Sequence, residues 1–249
     1  MKHLILLRGL AREAAHWLNF PDLLQHALGD EFQLHLVDFP GCGNYFREDA
    51  LTTVSAMTDH ARHEIDVATI RARNEAIYIL GISMGGMVAL DWAQRYPDEL
   101  RGLVLINSSA GNQPLSWRLQ PSAWLRMIHA LVASSNEREA AVLSLVSNNR
   151  DDYPQHIKQW RSIQQQRPVT RKTILTMLRA AARFHPHPDC TVAGLVIASE
   201  QDRMVSVRAS NDIAQQFNWP IIHHPSAGHD LPMDNPQWLA GKIAHWIRR

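Results

Sequence analysis

Short apolar runs closed by turn residues recur along the chain and alternate with stretches of helical spacing. His3 to Leu7 is the first run, ended by Arg8-Gly9, and Leu34 to Val37 is the second, ended by Asp38-Phe39-Pro40-Gly41. Between them, Ala14 to Leu28 repeats its apolar residues at helical spacing. Ala76 to Leu80 runs into Gly81, and a helical pattern follows from Met84 through Tyr96 until Pro97 stops it. Leu103 to Ile106, Leu195 to Ala198 and Ile221 to His223 complete the strand candidates, and Asn235 to Ile247 reads as a closing helix. Apolar strands alternating with helices predict an α/β fold with a mostly parallel central sheet covered on both faces.

One region breaks the rhythm. From Ala110 to Cys190 no run reads as a strand, and helical spacing returns over Ala123 to Val132, Glu137 to Val146, Gln155 to Gln166 and Arg171 to Phe184. Residues 111–190 are therefore expected to be a helical insertion, a cap, on a core formed by residues 1–110 and 191–249. The insertion holds 11 Lys and Arg against 5 Asp and Glu, whereas the rest holds 14 against 19. A basic insertion resting on an acidic core explains the split; a cap that draws in anionic substrates is the sharper alternative.

Over all 249 residues the net charge is only +1, without the basic excess of a nucleic-acid binder. The two cysteines, Cys42 and Cys190, are too few and too far apart for a zinc ribbon or a disulfide scaffold, which points to the cytoplasm. The apolar stretch Leu4 to Leu7 is cut by Arg8, too short for a signal-peptide core, and no stretch approaches a membrane span. A chain of this length buries a core without metal or disulfide.

Gly81-Ile82-Ser83-Met84-Gly85 fits G-x-S-x-G with a strand before it and a helix after it, the context of a nucleophile elbow. A serine hydroxyl needs a base within hydrogen-bond reach and a carboxylate to orient that base. The run Leu195 to Ala198 leads into Ser199-Glu200-Gln201-Asp202, and the last strand leads into Ser226-Ala227-Gly228-His229-Asp230. In a parallel sheet these loops leave one edge, so Ser83, Asp202 and His229 can converge there. Glu200 is the competing acid, and Asp230 and Asp234 follow the histidine too closely to orient it. Cys42 has no base near it in sequence and reads as a small turn residue.

At these residues the chain resembles the α/β-hydrolase family, in the elbow, the acid after a late strand, the histidine after the last strand and their order. Asp38-Phe39-Pro40-Gly41-Cys42-Gly43 looks like the family's D-x-P-G-x-G turn, and the insertion falls where many members carry a cap. Among subgroups the chain is most similar to small capped bacterial carboxylesterases. The strand pair that opens the family's sheets has no counterpart here, so the sheet is expected to be shorter. The resemblance implies an oxyanion hole from the backbone N–H groups of Met84, after the nucleophile, and Leu10, after the first strand. The family usually has His-Gly where this chain has Arg8-Gly9; Arg8 either braces the loop or offers its guanidinium to a substrate carboxylate. Trp17 resembles a tryptophan that packs this loop in the family.

Trp117, Trp124, Met127, Trp160 and Met177 fall in the insertion, and some of them must face the gap between cap and sheet. Arg8, Trp17 and Trp124 are the substrate-binding candidates. The expected activity is a cofactor-independent, metal-free serine hydrolase acting on small or medium-sized carboxylic esters. Two alternatives stand beside it: an enzyme of the same fold acting on a carboxylate-bearing metabolite as a carbon–carbon hydrolase, thioesterase or lyase, and a receptor without turnover. No nucleic-acid or membrane partner is expected, and the oligomeric state is left open.

Overall fold

The four inner strands are buried almost without interruption, as expected for a sheet covered on both faces, while the two edge strands are only partly buried. The computed structural model describes residues 1–248. The order begins β1 (Lys2–Leu7), a 3-10 turn (Ala14–Trp17), α1 (Phe20–Leu28), β2 (Phe32–Val37), α2 (Val54–Glu64), α3 (Val67–Ala72), β3 (Ala76–Ile82), α4 (Met84–Arg95) and β4 (Gly102–Ile106). Five helices follow: α5 (Leu115–Arg118), α6 (Pro121–Val132), α7 (Ser135–Val146), α8 (Tyr153–Gln166) and α9 (Arg171–Arg183). The chain then returns through β5 (Gly194–Ser199), α10 (Val207–Phe217), β6 (Ile221–His224), α11 (Leu231–Asp234) and α12 (Pro236–Ile247).

The strands pair in the order β2-β1-β3-β4-β5-β6, all parallel, with no antiparallel pair among the described residues. Alternation within each strand divides the core in two. Ile5 and Leu7 of β1 point to the face packed by α2, α4 and α10, and Leu4 and Leu6 point to the face packed by α1 and α12. Because β1 leads outward to β2 and the chain then returns to β3 on its other side, the order reverses between β1 and β3. Such a switch point leaves a crevice at the carboxyl ends of the strands, and Ser83 follows β3 there.

The helical stretch expected over Ala14 to Leu28 is broken. Leu18 adopts a positive φ of 52°, separating the 3-10 turn from α1. Pro21 lies in the first turn of α1, where its missing N–H costs nothing, and this fixes the later start. Five helices were not anticipated, α2, α3, α10 and the four-residue α5 and α11. In α2 the buried positions Val54, Met57, Thr58 and Ala61 do follow helical spacing, but two of the four are a threonine and an alanine. The helix α3 is only six residues long, and α10 buries Ala209, Ser210 and Ala214 beside Ile213 and Phe217. Among the described residues no helix is long and apolar enough to cross a membrane.

Candidate active site

The turn from β3 into α4 places Ser83 at φ 56° and ψ −120°, a region non-glycine residues rarely occupy and one that recurs at functional sites. The flanking glycines make it possible. A Cβ on Gly81 would lie 2.3 Å from the Gly85 carbonyl oxygen, and one on Gly85 would lie 2.2 Å from the Leu7 carbonyl oxygen. The Ser83 N–H donates to the Ile106 carbonyl at 2.9 Å, and the Ser108 hydroxyl donates to the Ser83 carbonyl at 2.8 Å, so β4 holds the elbow. Gly9 passes so close that a Cβ there would come within 3.2 Å of Ser83 Cβ. That approach brings Leu10 to the rim of the serine. As the first residue of α4, Met84 has no intrahelical acceptor for its N–H. The Leu10 N–H also donates to no protein acceptor among the described residues. Asp38 ties down the same rim, accepting from the Ala14 N–H at 2.7 Å and the Asn44 N–H at 3.0 Å.

At the same edge, in the loops after β5 and β6, His229 Nδ1 and Asp202 Oδ2 lie 2.7 Å apart and both residues are buried. The other Asp202 oxygen accepts from the Met204 and Val205 N–H groups at 2.7 and 3.0 Å, which fixes the carboxylate in place. Burial opposes a charge on His229, but the charge and hydrogen bond of Asp202, helped by Asp230, outweigh it and raise the pKa above the usual 6.5. Glu200 is exposed and takes no part. Ser83 and His229 open on the same cavity, and no hydrogen bond joins them among the described contacts. Burial, with Asp38 next, pushes the Cys42 thiol up to about 12, so it holds no thiolate at neutral pH.

Sequence reasoning missed the residues that hold these loops. Asn107, itself at φ 46°, donates its amide to the His229 carbonyl at 2.8 Å and to Ser199 Oγ at 3.0 Å, and it accepts from the Ser199 N–H at 2.7 Å. Asp234 accepts from the Gly228 N–H at 2.6 Å and from the Ser147 hydroxyl at 2.6 Å, fastening the histidine loop to α7. Asn107 belongs to no motif and sits just beyond the run Leu103 to Ile106, and Asp234 enters the sequence reading only as a rival acid that is set aside.

The sequence profile of the Alpha/beta hydrolase family matches residues 4–242. The chain belongs to the α/β-hydrolase family. The pimeloyl-[acyl-carrier protein] methyl ester esterase of Salmonella heidelberg (strain SL476) is 35% identical over 107 residues, which are 43% of this chain and 37% of that one. The match thus spans little more than a third of this curated relative's length. Among solved structures, an enol-lactonase from Burkholderia xenovorans LB400 superposes with a TM-score of 0.78 at 17% identity, covering 100% of this chain and 92% of that one. A thermophilic esterase from Thermogutta terrifontis, with malate bound, gives 0.75 at 20%, covering 100% and 90%.

Within this α/β-hydrolase Arg8 and Trp17 take the bracing and packing places rather than substrate-binding ones, and Trp124 turns away from the cavity. Arg8 lines the cavity but is committed to Asp230, donating from both terminal nitrogens to its two oxygens at 3.1 and 2.5 Å, with both residues buried. Asp230 stands at the N-cap position of α11 but makes no side-chain cap bond, its carboxylate being taken by Arg8. Trp17 lies beneath that pair, its ring 4.7 Å from the guanidinium carbon and stacked on Phe20, and it is not part of the cavity wall. Trp124 is 43% exposed, donates to the Leu119 carbonyl at 3.1 Å and does not line the cavity. Met127 and Trp160 do line it, while Met177 is buried in the core. The cavity measures about 270 Å³ and is mostly apolar, walled by Leu10, Met84 and Met87 from the sheet side and by Leu131, Val142 and Leu178 from the insertion. Among the described residues no group of three or more His, Cys, Asp or Glu is placed to hold a metal ion.

Proposed function

We propose that this α/β-hydrolase is a serine hydrolase that cleaves small or medium-sized carboxylic esters through an acyl-enzyme. One arrangement carries the reading: an Asp202-bound imidazole at 2.7 Å and a serine on an elbow open on one apolar cavity beside two uncommitted N–H groups. Ser83 Oγ attacks the ester carbonyl while His229 Nε2 takes its proton. Asp202 holds the Nδ1–H and stabilises the imidazolium. The oxyanion is received by the Met84 and Leu10 N–H groups, each such donor contributing on the order of 2.7–4 kcal/mol to the transition state. His229 returns the proton to the departing alcohol, and water, activated by the same imidazole, releases the acid and restores the Ser83 hydroxyl. No cofactor or metal enters these steps. In this reading residues 111–190 act as the cap, because α5 to α9 wall the cavity opposite the sheet. A cavity of about 270 Å³ lies just below the ~300–1,000 Å³ of small-molecule sites, which favours a short acyl or alcohol group.

The test is intact mass after a fluorophosphonate probe, followed by hydrolysis of p-nitrophenyl esters graded by chain length. A single adduct on the wild type, absent from Ser83→Ala and His229→Ala, together with turnover of the shorter esters, is the expected result. A folded wild type that neither labels nor turns over ester would overturn the reading in favour of a receptor.

A further inference from the structure

Four guanidinium groups line the cavity, Arg8, Arg12, Arg118 and Arg138, against two carboxylates, Glu139 and Asp230. Asp230 takes Arg8 at 2.5 Å and Glu139 takes Arg12 at 2.6 Å, and Arg12 also reaches His16 Nε2 at 3.2 Å. The two remaining arginines have no ion-pair partner among the described residues. Arg118 is half-buried and donates to the carbonyls of Ala181 at 2.9 Å and Gly111 at 3.5 Å.

Arg138 is the more demanding of the two. It is 7% exposed, and its Nη2 donates to the Val169 carbonyl at 3.3 Å. Turning the Gln164 amide adds an acceptor at 3.2 Å. Its Nε and Nη1 donate to no protein acceptor among the described residues, although a guanidinium has five N–H bonds to satisfy. Trp160 is fully buried in the same wall, lies 4.1 Å beneath the Arg12 guanidinium carbon, and its Nε1–H also has no acceptor. Burial lowers the Arg138 pKa; Glu139 opposes this, and Arg12 and Arg171 add to it. Arg138 thus holds more N–H donors than the described acceptors satisfy, and the carboxylate whose charge acts on it, Glu139, is already paired with Arg12. A buried cation without a counter-ion is costly, and a ligand oxyanion removes that cost while using the planar guanidinium fork.

We infer that Arg138 binds a carboxylate on the substrate, so that the preferred ester is a half-ester of a dicarboxylic acid. The apolar remainder of the wall suits the methylene chain between the two ends. This rests on the reading of Ser83 as the nucleophile, and the experiment separates the two.

Calorimetric binding to Ser83→Ala compares monomethyl adipate with its carboxamide counterpart, which keeps the shape and loses the charge. The carboxylate is expected to bind roughly 10- to 100-fold more tightly, the range for a buried charge-assisted hydrogen bond. Adding Arg138→Gln brings the ratio close to one. Arg138→Lys, which keeps the charge without the fork, retains part of it and serves if the glutamine variant fails to fold. Arg118→Gln retains the ratio. Equal binding of acid and amide, or a preference that survives Arg138→Gln and vanishes in Arg118→Gln, overturns the assignment. A fluorophosphonate adduct on the wild type without acid preference removes the subsite and leaves the hydrolase. Acid preference without adduct or turnover retains the subsite and removes the hydrolase.

Discussion

At the scale of single residues, the proposed base depends on one carboxylate. His229 acts in its neutral form, and Asp202 raises its pKa above 6.5 against the effect of burial. Activity should therefore fall as pH drops through a value above 6.5. In Asp202→Asn the charge is gone, burial and Arg8 remain as lowering influences, and the acid limb of kcat/KM moves to lower pH. The same variant should lower kcat by about 10⁴-fold, because an amide leaves the imidazole in the wrong tautomer. A pH–rate profile of both proteins checks the shift, and an unmoved acid limb would exclude His229 as the base. Gly85 makes a purely steric prediction. An alanine Cβ there meets the Leu7 and Arg8 carbonyl oxygens at 2.2 and 2.7 Å, and backbone cannot swing aside as a side chain can. Gly85→Ala should lose at least the ~1–3 kcal/mol typical of overpacking, read from urea denaturation.

Between elements, the buried Arg8–Asp230 pair joins the loop after β1 to the loop after β6, the two loops that carry Leu10 and His229. Removing one partner strands a buried charge, so Arg8→Met should cost about 3–5 kcal/mol, whereas Arg8→Met with Asp230→Leu should recover most of it. Denaturant midpoints of the two single variants and the double variant decide this; additive losses would show that the pair is not coupled. The elements themselves were legible in proportion to their apolar content. All six strands were anticipated to within two residues at each end, the four inner ones because a strand covered on both faces must be apolar throughout, and the two edge strands from shorter apolar runs closed by turn residues. The helices α2, α3, α5, α10 and α11 were not, because short length or small and polar residues on a buried face weaken the periodic signal. The break at Leu18 was signalled by Pro21, which the helical spacing around it obscured.

At the scale of the whole molecule, the opposite charges of the insertion and the rest resolve into particular contacts. Arg167 donates to buried Glu13 at 2.8 and 3.0 Å, and Lys172 meets Asp49 at 2.5 Å, each joining the insertion to the acidic remainder. Arg12 and Glu139 join them with the polarity reversed. Part of the positive charge in the insertion is thus a fastening, and part of it, at Arg118 and Arg138, faces the cavity. Glu13→Gln removes the carboxylate under Arg167 and should release about 1.5–3 kcal/mol of charge-assisted bonding. Amide exchange in α8 and at the start of α9 should then quicken by roughly 10- to 100-fold through local opening. Unchanged exchange would mean that apolar packing alone holds the insertion down.

The sequence by itself determined the order of strands and helices, the helical interruption between β4 and β5, and the identities of Ser83, Asp202 and His229 as candidates. Those are local properties: apolar periodicity, a glycine-framed serine, and titratable residues directly after strands. Tertiary structure decided what each charged residue faces. Nothing along the chain says that Arg8 meets Asp230, 222 positions away, that Trp17 lies under that pair while Trp124 turns outward, or that Arg138 is left without a carboxylate in the cavity wall. Pairing across such separations is set by which loops the parallel sheet gathers at one edge and by which helices pack above them, and a charge has no preferred partner until that packing removes it from water.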